Sequence, residues 1–137
     1  HPCRERVPIF ILMRLLGKPP RFKYRDFVSG VAKGMVFIEK TLSHGQPFIA
    51  GDYSAADVLL AQAFHRLQIT AFHKVLESDQ FPLIKAYWPR LQQRSSYKEG
   101  ILDYEEEEWS ECKAALYGDG ENPDIEHFWS EVKRLNQ

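Results

Sequence analysis

Cysteine is scarce in this sequence, and glycine and proline are not abundant. Only two cysteines occur among 137 residues, Cys3 and Cys112, and neither belongs to a C-x-x-C pair. This count does not suit a disulfide scaffold, a redox motif or a zinc motif, and it favours a reducing, intracellular compartment. Glycine and proline, at eight each, are too few for a fibrous or largely disordered chain. We therefore expect a folded cytoplasmic protein.

The chain also lacks an excess of one charge and a long apolar run. Lys and Arg number 18 against 19 Asp and Glu, so no bulk attraction draws it to nucleic acid or anionic lipid. The longest apolar run, residues 7–16, is interrupted by Pro8 and Arg14 and is shorter than the roughly 20 residues of a membrane span. No signal-peptide pattern follows His1. We expect a fragment of a longer protein, with no membrane span and no nucleic-acid partner.

Helical spacing dominates the first third of the chain. Apolar residues recur every three or four positions over residues 22–42, which predicts one amphipathic helix. Gly30 and Gly34 lie inside it, where each costs roughly 1 kcal/mol relative to alanine. They mark a close approach of a neighbouring backbone, or they are simply tolerated. A shorter apolar segment, residues 4–16, predicts a preceding short helix.

The stretch from Phe48 to Val58 has the pattern of a helix start. Ser54 at the N-cap can accept a hydrogen bond from the Asp57 amide, and the Asp57 carboxylate can reach back to the Ser54 amide. The acid also favours the positive end of the helix dipole. The helix that follows, residues 55–72, carries apolar side chains on nearly every side. This pattern predicts a helix buried at the centre of a bundle.

Three more helices are predicted downstream. One opens at Pro82 and must kink or divide at Pro89. A second capping box over residues 96–99 predicts a helix that runs to Gly118 and contains the acidic stretch Glu105 to Glu108. We interpret this stretch as a solvated face, with a cation or basic-partner site as the less favoured alternative.

The last predicted helix follows Asn122-Pro123-Asp124 and carries a clean apolar stripe. No segment shows sustained strand alternation. The predicted fold is an all-α bundle of about six helices around a central buried helix.

Several stretches resemble the C-terminal helical domain of the glutathione transferase superfamily. Gly51, Ser54 and Asp57 match in register the glycine-containing loop and the Ser/Thr-x-x-Asp box that open its central helix. Residues 81–97 are similar to its next helix and exit, and residues 4–16 to its beginning after the linker. The resemblance covers residues 4–102 of a single helical domain, 1–137. The acidic helix and the extra C-terminal helix, 103–137, have no named counterpart. Residues 56–67 are also similar to the ganglioside-induced differentiation-associated protein branch.

The resemblance implies a supporting role in thiol chemistry. In the family, a separate N-terminal thioredoxin-like domain binds glutathione and supplies the catalytic Tyr, Ser or Cys, and these 137 residues contain no such βαβ segment. The helical domain walls the pocket for a small hydrophobic electrophile and contributes to a homodimer. By position, Phe10, Met13 and Arg14 are the pocket candidates, with Tyr117 approaching from the far end. Ordinary packing in the bundle is the alternative for each.

Other chemistry is less favoured by the residue spacing. His65 and His73 are too far apart for a metal-binding i, i+4 pair, so we expect no metal. Ser54 is better explained as a cap than as a nucleophile.

Two functions remain open. One is the helical half of a glutathione transferase, which would not be catalytic alone, and the other is a non-catalytic protein-interaction module. A preceding thioredoxin-like domain would indicate the first, and a large outer apolar patch the second. We favour the first because the chain begins where the family's interdomain linker would end.

Overall fold

The computed structural model describes residues 24–105, 107, 110, 111, 114 and 120–137. Within these ranges the chain is helical, and the only β-type pairing is two isolated bridges. The elements in chain order are α1 (Tyr24–Leu42), α2 (Ala55–Ile69), α3 (His73–Leu76), α4 (Pro82–Gln92), α5 (Ser95–Gly100), the 3-10 helix Leu102–Tyr104, and α6 (Ile125–Leu135). The predicted all-α class is confirmed, while the short helix predicted over residues 4–16 lies outside the described residues. No helix in the described part is long and apolar enough to cross a bilayer.

Helix α1 follows its predicted amphipathic pattern. Its buried side chains lie three or four residues apart on one face: Val28, Ala32, Met35, Ile38 and Leu42. The helix ends at Leu42, and Gly45 follows with φ of +84°, a left-handed conformation that glycine adopts without steric cost. A Cβ added at Gly30 or Gly34 would meet no described atom within 4 Å. The described residues therefore give no support to a close backbone approach at these two positions.

Helix α2 is central, but it is not buried on every side. It packs against α3, α4 and α5. Its buried side chains share one face: Asp57, Ala61 and Phe64. Val58 and Leu59, in contrast, expose 40% and 67% of their surface. The prediction of burial all round is therefore wrong for the described part of the molecule. The helix also ends at Ile69, three residues earlier than predicted.

Helix α4 continues through Pro89 without dividing. Proline lacks the amide that would bond to the Lys85 carbonyl, and both residues are exposed, so water can replace the missing donor.

The start of α4 is capped from α1, because the two carboxylate oxygens of Glu39 accept the Leu83 and Ile84 amides, each at 2.9 Å. This pair of bonds ties α1 to the first turn of α4.

Helix α5 is much shorter than predicted. It ends at Gly100, and after the 3-10 helix the backbone at Glu105 is extended, with φ of −73° and ψ of 125°. The N-cap is Arg94 rather than Ser96, and no side chain caps it. The single helix predicted to reach Gly118 is therefore wrong. Gly100, a residue of weak helix propensity, is the last residue of the helix.

Helix α6 closes the core against α1. Before it, the Asn122 amide group donates to the Thr70 carbonyl at 2.9 Å, and its Oδ1 accepts the Asp124 amide at 3.0 Å. These bonds fix the start of α6 beside the end of α2. Phe128 is fully buried, and Trp129 stacks on Phe81 with ring centroids 5.8 Å apart. One hydrophobic core runs from α1 to α6, as the apolar stripe predicts.

Candidate functional site

The predicted pocket residues Phe10, Met13, Arg14 and Tyr117 lie outside the described residues, and their role stays a prediction. Within the described residues, two groups of polar side chains meet on α2. We call the first the Asp57 cluster; its members are the side chains of Ser54, Asp57 and Tyr87 and the backbone amide of Ile49. We call the second the His65 cluster; its members are His65, Tyr97 and Glu105.

The Asp57 cluster surrounds one fully buried carboxylate at the first turn of α2. Asp57 Oδ2 accepts the Ser54 amide at 2.8 Å and the Ser54 hydroxyl at 3.2 Å. Oδ1 accepts the Tyr87 hydroxyl at 2.6 Å and the Ile49 amide at 3.2 Å. The Asp57 amide in turn donates to the Ser54 carbonyl at 3.0 Å. The carboxylate thus joins the loop before α2, the start of α2 and the middle of α4.

The loop before α2 has the shape that this cluster needs. Gly51 has a φ of +92°, which favours glycine, and its amide donates to the Phe48 carbonyl at 3.0 Å. The Gln46 side-chain amide donates to the Ile49 carbonyl. These bonds fold the loop tightly enough to turn the Ile49 amide toward Asp57.

Two arginines, Arg90 on α4 and Arg94 at the start of α5, contact the same loop. The Arg94 guanidinium lies over the Tyr53 ring, 3.8 Å from its centroid, which is cation–π geometry. The Tyr53 hydroxyl is 2.8 Å from the Ser96 hydroxyl. Arg90 donates to the Pro47 carbonyl at 3.2 Å. The loop is therefore held at both of its ends by α4 and α5.

The chemistry open to the Asp57 cluster is limited, because its groups are committed to one another. Four donors fill the acceptor positions of the Asp57 carboxylate, so it has no free lone pair with which to act as a base. Burial, and then the adjacent Asp57 carboxylate, raise the pKa of Tyr87 well above its ordinary value. The Ser54 hydroxyl also points to Asp57, and the nucleophile interpretation gains no support. The cluster holds the fold together.

The His65 cluster joins α2 to α5 and to the segment after the 3-10 helix. His65 Nδ1 lies 2.9 Å from the Tyr97 hydroxyl, and Nε2 lies 3.0 Å from Glu105 Oε1. A neutral imidazole satisfies both neighbours if the Tyr97 hydroxyl donates to Nδ1 and the Nε2 proton is donated to Glu105. Burial raises the pKa of Tyr97, whose ring packs edge-on against Trp88 with centroids 5.4 Å apart.

Sequence reasoning missed the His65 cluster. It weighed His65 only as half of a metal pair, and it placed Glu105 inside a long helix. His65 is 32 residues from Tyr97 and 40 from Glu105, so no local pattern brings the three together. Among the described residues, no group of three or more His, Cys, Asp or Glu side chains is arranged to hold a metal ion.

Residues 24–95 match the family model of the glutathione S-transferase C-terminal domain, which is just over half of the 137 residues. The chain belongs to this family. No curated protein and no solved structure was found to match it. In this glutathione S-transferase C-terminal domain, the matched residues run from the start of α1 to the first residue of α5, and they include the whole Asp57 cluster.

The family match is narrower than the predicted resemblance. It begins at Tyr24, after the segment 4–16, and ends at Ser95, before the acidic stretch. It also does not separate the ganglioside-induced differentiation-associated protein branch from the rest of the family, so that assignment stays a prediction.

Proposed function

We propose that this domain is the helical half of a glutathione-transferase-like enzyme that conjugates glutathione to small hydrophobic electrophiles. The family match over residues 24–95 carries the proposal. An N-terminal thioredoxin-like domain of the same protein would bind glutathione and lower the pKa of its thiol, since the thiolate is the nucleophile. The helical domain would bind and orient the electrophile, and it would not be catalytic alone.

The Asp57 cluster supports the assignment of electrophile binding to the helical domain. A binding wall has to hold its side chains in place, and rigid supporting contacts make such placement accurate. The buried carboxylate fixes α2 to α4, and Glu39 fixes α4 to α1. We assign both groups to the scaffold and not to the reaction.

The pocket itself is assigned to the first predicted helix. Phe10 and Met13 would supply apolar surface to the electrophile, and Arg14 would orient a polar or anionic substituent on it. Tyr117 would approach from the opposite end. Most small-molecule pockets combine apolar walls with a few polar groups in this way.

We further propose that the protein acts as a homodimer in the cytoplasm. Exposed apolar side chains on α1 and α2, Phe37 at 68% and Leu59 at 67%, are available to a partner surface. Single exposed apolar residues are ordinary on proteins, so they do not by themselves favour a dimer over the non-catalytic interaction module.

The experiment is a conjugation assay on the native protein that carries this domain. Thioether formation from glutathione and an aromatic halide is followed by absorbance, with Arg14→Ala compared against Arg25→Ala, a change at an exposed position of α1. We expect conjugation by the wild type, a raised KM for the halide in Arg14→Ala, and unchanged values in Arg25→Ala. A folded wild type with no conjugation would contradict the enzyme proposal and favour the interaction module. An unchanged KM would remove Arg14 from the pocket.

A further inference from the structure

We propose that Tyr104 is a phosphorylation site for a protein tyrosine kinase with a basic peptide groove. Tyr104 is the last residue of the 3-10 helix, and 81% of its surface is exposed. Acidic residues surround it in the sequence Asp-Tyr-Glu-Glu-Glu-Glu, residues 103–108. The proposal joins three observations: access to the hydroxyl, a backbone that can extend, and charge of one sign around it.

Access distinguishes Tyr104 from the other described tyrosine side chains. Tyr87 is fully buried and Tyr97 is 6% exposed, and both hydroxyls lie in the clusters on α2. Tyr53 is partly buried, with its ring under Arg94 and its hydroxyl against Ser96. The ring of Tyr104 projects into solvent, where an enzyme can reach its hydroxyl without unfolding the core.

The backbone at Tyr104 is suited to binding in a groove. The 3-10 helix has three residues, and its turn is closed by the Tyr104 amide on the Ile101 carbonyl at 3.2 Å and the Glu105 amide on the Leu102 carbonyl at 3.1 Å. Short 3-10 turns have poor hydrogen-bond geometry, and exposed turns of this kind open with little cost. Glu105 is already extended, so residues 102–105 can lie along a kinase groove as an extended peptide once Glu105 leaves His65.

The negative charge around Tyr104 would be the feature that a kinase recognises. Asp103 and Glu107 are exposed beside Tyr104, while the Glu105 side chain, which contacts His65, keeps 28% of its surface exposed. The sequence adds two further glutamates. Lys98 offsets one of these charges through a 2.8 Å ion pair with Asp103, and the others leave a negative segment. Complementary charge raises the rate of encounter and selects among partners. A kinase whose peptide groove is lined by Lys and Arg is the matching partner.

ATP is the phosphoryl donor in this reaction. The Tyr104 hydroxyl oxygen bonds to the γ-phosphorus, the bond from that phosphorus to the β,γ-bridging oxygen breaks, and ADP leaves with magnesium. The hydroxyl proton passes to a carboxylate base of the kinase. The product carries about two more negative charges, placed next to Glu105, which contacts His65. Phosphorylation would thus act on a contact that joins this segment to α2.

The test uses the folded chain, magnesium, ATP and the catalytic domain of a tyrosine kinase that prefers acidic peptides. Phosphotyrosine is assigned to individual residues by peptide mass spectrometry, with Tyr104→Phe as the first control. The second control is the double variant Glu106→Gln with Glu107→Gln, which removes two charges and keeps the side-chain size. Circular dichroism confirms that each variant is folded.

We expect initial incorporation at Tyr104 several-fold faster than at Tyr53, none at residue 104 of Tyr104→Phe, and a several-fold slower rate in the double glutamine variant. Absence of incorporation at Tyr104 would overturn the proposal. So would incorporation at Tyr53 at an equal rate, or a Tyr104 rate that does not change when the two charges are removed.

Discussion

Replacing Asp57 with alanine should destabilise the domain by more than the loss of an ordinary helix cap. An N-cap bond alone is worth about 1 kcal/mol. The Asp57 carboxylate is fully buried and also accepts the Tyr87 hydroxyl and the Ile49 amide. A buried donor left without an acceptor costs about 1 to 3 kcal/mol. The cap and the two abandoned donors together give about 3 to 7 kcal/mol.

The assay is equilibrium unfolding in urea, followed by circular dichroism and tryptophan fluorescence. Asp79→Ala is the matched control, because Asp79 lies on the surface and its partner is the exposed Lys85. Its midpoint should stay close to that of the wild type, since surface ion pairs contribute little. The slope of the unfolding free energy against urea should be the same in all variants if each unfolds in two states.

The variant Tyr87→Phe measures the contribution of the Tyr87–Asp57 hydrogen bond separately from that of the cap at the start of α2. It removes one donor but leaves Asp57 Oδ1 with the Ile49 amide, so we expect a loss of about 1 to 2 kcal/mol. An Asp57→Ala midpoint no lower than that of Asp79→Ala would refute the reasoning. A Tyr87→Phe protein as stable as the wild type would show that the bond from Tyr87 to Asp57 contributes nothing to stability.

Three further predictions concern other parts of the fold. Glu39→Gln weakens the cap on the first turn of α4, and a loss of about 1 to 2 kcal/mol is expected in urea unfolding; an unchanged midpoint would argue against the cap. The raised pKa of Tyr87 means that above about pH 10 the unfolded chain releases a proton that the folded chain keeps. Stability should therefore be complete below that pH and fall above it, and Tyr87→Phe should flatten this alkaline decline; equal declines would contradict the assignment. Gly34→Ala should stabilise by about 0.5 to 1 kcal/mol, whereas Gly45→Ala, at φ of +84°, should destabilise by about 1 to 2 kcal/mol. Two changes of the same sign in thermal melting would disprove that contrast.

The sequence predicted those features of the fold that depend on residues close together in the chain. The spacing of apolar residues predicted α1 and α6, because each helix buries one continuous face. The short separation of Ser54 and Asp57 predicted the start of α2. The family resemblance identified this helix start as the Ser/Thr-x-x-Asp box of the glutathione transferases. The family match over residues 24–95 confirms the family.

Tertiary contacts decided what the sequence could not predict. The Asp57 carboxylate meets Tyr87 across 30 residues, and no pattern in either segment indicates the other. The predicted capping box at Ser96 is an instance of the same limit, because its spacing fits a helix start but the Ser96 hydroxyl lies against Tyr53. Apolar residues on several sides of α2 indicated full burial, yet Leu59 is largely exposed.

The most direct test of the proposed function is the intact mass of the native protein, with the sequence of any residues before His1. A glutathione-transferase-like enzyme needs a domain that activates the thiol, which we assign to a preceding thioredoxin-like domain. We expect a mass well above the 16.0 kDa of these residues, with thioredoxin-like βαβ sequence in the addition. A native mass equal to 16.0 kDa would contradict the enzyme proposal and leave the interaction module in its place.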